Sequence, residues 1–151
     1  MQEHIQNELA SFIANCDWEK IAPHFKEDAA YRVLDWIGCA VAGEHYPQVE
    51  IAQKYFIENG DQGNSTVIGH QTKCSPRTAA FLNGIAGHVC ELDDGHRTAI
   101  GHPGSIAVPT ALALGEHLNA SGADVLKAVI LGYEVFSRLG RTVNPSHYRT
   151  W

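Results

Sequence analysis

Apolar residues recur at three- and four-residue spacing along almost the whole chain, and that period fits helices rather than strands. The clearest instance runs from Pro23 to Gly43. Phe25, Ala29, Val33, Ile37, Ala40 and Val41 follow the helical period. Pro23 suits a first turn and Gly43 suits a stop. Towards Leu34–Ala40 the apolar residues cover more than one face, which puts this helix at the centre of a packing. Five more helices are predicted: about 3–16, Pro47–Asn59, Pro76 to about Val89, Pro103–Ser105 to about Leu118, and, after a turn at Asn119–Gly122, one through Val125 to about Gly140. Ser75 before Pro76 reads as an N-cap, and Ser121 with Asp124 as a capping-box variant. Only Thr66–Gly69, inside a turn-rich segment, reads as extended. Six helices with short connections predict an all-α fold, with one short extended segment near 65–69 and a single helical domain over 1–151.

The bulk numbers narrow the function. Hydrophobic residues make up 44% and charged residues 19%, enough for a packed core. The formal charge is −6, so no basic stripe for nucleic acid is expected. No apolar run is long enough to span a bilayer, because Gly132 and Glu134 interrupt the one near VILGYEVF. The N-terminus MQEHIQNELA is polar and amphipathic, unlike a secretion signal. With no CxxC pair, the four cysteines read as reduced thiols of a cytoplasmic protein.

One run breaks the helical pattern: HVCELDDGHRTAIGHPGS, His88 to Ser105. It holds three carboxylates, three histidines and an arginine between two helices that read as buried. Such groups cost desolvation energy unless they pair or meet a ligand. Glu91, Asp93 and Asp94 crowd together at the negative end of a helix, a setting that favours acid/base work. Arg97, with His96 beside it, has the chemistry to bind a carboxylate, bidentately in the case of arginine. His102 precedes Pro103-Gly104-Ser105, where a helix opens. Free N–H groups there attract an anion, and an imidazole shuttles protons near neutrality. Asp93, Asp94, His96 and His102 are legitimate metal-ligand types, but no HxxxH or HExxH accompanies them, so no metal is expected. No GxGxxG, P-loop or GxSxG occurs, so no cofactor is expected either.

These segments resemble the MmgE/PrpD family, which includes 2-methylcitrate dehydratase, cis-aconitate decarboxylase and iminodisuccinate epimerase. Val33-Leu34-Asp35-Trp36-Ile37-Gly38-Cys39-Ala40 is similar to the family's LLDWLGCA helix. Ala79-Ala80-Phe81-Leu82-Asn83-Gly84, followed by His88, Glu91, Asp93 and Asp94, is similar to AALxNGxxxHxxDxDD. His102-Pro103-Gly104-Ser105, followed by Val108-Pro109-Thr110-Ala111-Leu112-Ala113-Leu114, is similar to HPGSxVxPAALAL. The resemblance implies a metal-independent, cofactor-free lyase or isomerase of small polycarboxylates. The shared step is proton abstraction beside a carboxylate, followed by loss of water, loss of carbon dioxide or reprotonation. It also implies a homodimer, and a helical domain followed by an α/β lid that this chain lacks.

Residue by residue, His102 matches an active-site histidine of the family and Asp93 the second Asp of DxDD. Glu91 stands where most members have the first Asp, and Gly95 where many have a substrate-contacting threonine. The expected catalytic set is therefore His102, Asp93 and Glu91. Arg97, His96, Gly104 and Ser105 are expected to bind substrate. Two rivals remain at this point: a non-catalytic helical dimerisation module, and a metal-dependent hydrolase built on Asp93, Asp94 and His96.

Overall fold

The computed structural model describes residues 4–71 and 73–150, and these form an all-α structure. Its helices are α1 (Ile5–Ala14), α2 (Pro23–Gly43), α3 (Pro47–Glu58), α4 (Pro76–His88), α5 (Gly104–Leu118), α6 (Gly122–Val143) and α7 (Ser146–Thr150). A 3-10 turn, Trp18–Lys20, precedes α2. The six predicted helices are present; α7 was not predicted. The predicted start of the first helix at residue 3 lies outside the described residues. Among the described residues no helix is long and apolar enough to cross a membrane.

The core joins five helices: Trp36 and Ala40 of α2, Val49 of α3, Ala86 of α4, Val108 of α5 and Val129 of α6. Gly87 lets α2 and α4 meet. A Cβ added there would run into the buried Trp36 indole, and such overpacking costs stability. The second apolar face predicted for α2 is not covered: Leu34 and Val41 are exposed while Trp36, Cys39 and Ala40 are buried.

The extended segment is a two-stranded antiparallel hairpin, β1 (Ser65–Thr66) and β2 (Lys73–Cys74). Long-range contacts hold it. Buried Asn83 of α4 donates to the Thr66 carbonyl at 2.9 Å and accepts the Ile68 amide at 2.9 Å. Glu116 of α5 accepts the Thr66 amide and hydroxyl and pairs with Lys73. A strand pair this short depends on such anchors, since isolated hairpins are marginal in water. The hairpin in turn fixes α4 against α5, and those two helices frame the segment 89–103.

Candidate active site

The Ser75 hydroxyl caps α4 by accepting the Thr78 amide, and Pro76 sits at its first turn. The helix ends at His88. The chain then turns through Glu91, which takes a left-handed backbone (φ 50°), a conformation uncommon for residues other than glycine. This turn carries Asp93 back beneath His88. A second tight turn follows. His96 and Gly101 form a bridge, with the His96 amide on the Gly101 carbonyl at 2.8 Å. That turn returns His102 to Asp93.

Asp93 is the hub. Its side chain is 1% exposed. His88 Nδ1 lies 3.0 Å from one carboxylate oxygen and 3.2 Å from the other. The Ser105 hydroxyl donates to Oδ2 at 2.6 Å. His102 Nδ1 lies 3.3 Å from the same oxygen, but this buried nitrogen has no hydrogen-bond partner. The two imidazole centroids are 4.6 Å apart. A carboxylate only accepts, so His88 donates from Nδ1 and its other nitrogen lies at the outer edge of the ring. Both histidines line a cavity of about 740 Å³, whose other walls include Phe81, Ile85 and Pro109.

Asp94 does different work. Its Oδ1 accepts the Gly104 amide at 3.0 Å, and its Oδ2 accepts Arg32 Nη1 of α2 at 3.1 Å. Arg32 also donates to Asp28 at 2.6 Å and lies over the Tyr133 ring. Burial first, and then the nearby Asp94 charge, push the Tyr133 phenol above its usual range, so it stays protonated. A Cβ on Gly104 would sit 2.5 Å from Asp94 Oδ1 and 2.9 Å from the Tyr133 hydroxyl. A larger residue would displace one of these side-chain ends, so glycine lets α5 approach Asp94 closely. The helix dipole favours the negative charge placed there.

The predicted residues thus divide. Asp93, His102 and Ser105 come together, with Gly104 beside them at the start of α5. The Gly104 amide, expected to face a substrate anion, is held by Asp94 instead. His96 and Arg97 line a second cavity of about 570 Å³, together with Arg32, Asp94 and Tyr133. His96 Nδ1 accepts the Ala99 amide at 3.0 Å, so this side chain shapes the turn. Glu91 is exposed and lines neither cavity. A Cβ at Gly95 would meet nothing within 4 Å, so a larger side chain has room there.

Two residues absent from the predicted set matter. Arg32 gives no local signal, because it meets Asp94 across 62 positions. His88 does have one: it lies five residues before Asp93, close enough for a helix end and one turn to join them. A divalent ion is geometrically admissible at His88, Asp93 and His102, whose ligand atoms lie within 4.8 Å of one another. The His88 hydrogen bond to Asp93 and the close approach of His102 to the same carboxylate give the same spacing. The Asp93, Asp94 and His96 set imagined for a hydrolase is not assembled, since Asp94 faces Arg32 and His96 faces Ala99.

Residues 7–151 match the MmgE/PrpD N-terminal domain. The chain is 31% identical to cis-aconitate decarboxylase-like protein oryM of Aspergillus oryzae, over 91% of this chain and 30% of that protein. It is 32% identical to cis-aconitate decarboxylase of Aspergillus terreus, over 94% of this chain and 30% of that protein. It is 35% identical to the human cis-aconitate decarboxylase, over 71% of this chain and 23% of that protein. The chain therefore spans less than a third of the length of these relatives.

Proposed function

This chain belongs to the MmgE/PrpD family, and from that premise we propose that it is the N-terminal part of a longer lyase or isomerase acting on small polycarboxylates. One observation carries the reading: His102 stands against a buried carboxylate at the edge of an apolar cavity. Its Nδ1 side is buried against Asp93, which leaves the Nε2 edge to meet substrate. There the imidazole takes a proton from the carbon beside a substrate carboxylate, or returns one. In dehydration the electron pair left on carbon forms the double bond as the neighbouring hydroxyl, given a proton, leaves as water. In epimerisation the pair is reprotonated. In decarboxylation the C–C bond breaks instead, carbon dioxide leaves, and the imidazolium protonates the carbanion left behind. Asp93 supplies a fixed negative charge that stabilises the imidazolium formed on the way. Ser105 orients Asp93, and Asp94 with Arg32 and Tyr133 holds the start of α5 in place.

The relatives' names support decarboxylation of cis-aconitate as the first reaction to assay. Dehydration of a 2-methylcitrate-like acid is the second. Arg97 and His96 are assigned here to the wall of the second cavity, and Glu91 to a solvated turn. A homodimer in the cytoplasm, with no metal or other cofactor, completes the proposal. The test is turnover of a panel of di- and tricarboxylates by the full-length protein, with His102→Ala beside it. Loss of carbon dioxide or water by wild type alone supports the reading. Equal turnover by both proteins contradicts it.

The rival is a non-catalytic dimerisation module. Its supporting observation is the row of exposed apolar side chains Ile106, Leu114 and Leu118 on α5 and Leu139 on α6. A full-length protein that dimerises but turns over nothing on the panel would favour this rival.

A further inference from the structure

We propose that His88 is a second substrate-contacting histidine, binding one carboxylate of a polycarboxylate while His102 faces the reacting carbon. The inference rests on the polycarboxylate reading above, and it begins from a mismatch of charge. A polycarboxylate brings at least two negative groups, and each needs a donor once water is removed. Arg97, the cation first expected to meet one of them, lines the other cavity. Among the described residues, the cavity that holds His102 has only two ionisable side chains on its lining, His88 and His102. Its neutral polar groups are Gln48, Ser105 and Thr110. The Ser105 hydroxyl is committed to Asp93, and that of Thr110 to the Ile106 carbonyl at 2.6 Å.

The His88 ring is already oriented. Its Nδ1 spans both oxygens of Asp93, a carboxylate that is itself buried and held by Ser105. That bond keeps a proton on Nδ1 and aims the opposite nitrogen outward. The side chain is 46% exposed, against 1% for Asp93, so its outer edge is accessible while its inner edge is anchored. A ring that carries a proton on each nitrogen donates at both edges, one to Asp93 and one to substrate. A charge-assisted bond of this kind is stronger than a neutral one. The 4.6 Å separation of the two imidazoles suits neighbouring groups of one small acid.

The experiment is calorimetric titration of the full-length protein with tricarballylate, a non-reacting tricarboxylate. His88→Leu removes both donors, and His88→Gln restores a neutral one. The expected result is affinity about tenfold or more weaker for His88→Leu, with His88→Gln between the two and both variants folded by circular dichroism. A leucine variant that binds like wild type overturns the inference. So does a glutamine variant that binds as weakly as the leucine one, since that marks a packing role. If wild type itself does not bind tricarballylate, the polycarboxylate reading fails rather than the assignment of His88 alone.

Discussion

His102 Nδ1 lies 3.3 Å from Asp93 Oδ2, and the two share no hydrogen bond. The oxygen is occupied: Ser105 donates to it at 2.6 Å, and His88 spans both oxygens of the same carboxylate. Asp93 therefore acts on His102 through its charge, while its hydrogen bonds are spent on two other side chains. Asp93 is thus a shared anchor rather than the private partner of one histidine.

Removing that anchor is predicted to be costly in a graded way. Asp93→Asn deletes the charge and sets an amide against two imidazoles. Turnover by the full-length protein should fall on the order of a hundredfold or more. Ser105→Ala removes one bond to a charged acceptor and should cost about tenfold. Steady-state kinetics of the two variants checks the order. A serine variant as damaged as the asparagine one would mean that the hydroxyl itself touches substrate.

The spacing of His88, Asp93 and His102 admits a metal, so metal dependence is decided by removal. Dialysis against a strong chelator should leave turnover unchanged. Metal analysis of the purified protein should find no stoichiometric transition metal. Loss of activity that returns with zinc would assign the three residues as ligands.

The helices were legible because periodicity is a local signal. Pro23, Ser75 and Ser121 mark helix starts whatever they pack against. The site was legible only in composition. Asp93 and Asp94 are adjacent in sequence, yet one faces His88 and Ser105 and the other faces Arg32 and Gly104. A loop has no period from which to read that divergence. The left-handed backbone at Glu91, two residues before Asp93, is likewise announced by nothing in the residue type. Arg97 was the obvious cation by proximity in sequence. Arg32 is the one that reaches Asp94, because α2 is packed where α4 ends. The hairpin was similarly half-visible: Thr66 suggested extension, but its anchors Asn83 and Glu116 lie on helices far along the chain.

Glu116 makes that anchor sensitive to acid. Burial alone would raise its pKa, but Lys73 and the Thr66 amide and hydroxyl together hold it below the usual carboxylate range. A depressed folded-state pKa means that the stability it contributes is present above the unfolded value, and is lost as pH falls through the folded one. Thermal unfolding of wild type and Glu116→Gln should therefore differ at neutral pH and converge in acid, below the ordinary glutamate range. A gap that persists in acid would show that the glutamate acts by packing rather than charge.

The most direct measurement for the account as a whole is solvent-deuterium incorporation. The full-length protein and its His102→Ala variant are incubated in deuterium oxide with cis-aconitate and a panel of related di- and tricarboxylates, and the acids and products are read by proton NMR. Deuterium at a carbon beside a carboxylate with wild type, and none with His102→Ala, is the predicted result. Incorporation by the alanine variant at the wild-type rate would remove His102 from the chemistry. No incorporation and no turnover by either protein would contradict the assignment of acid/base catalysis to this site.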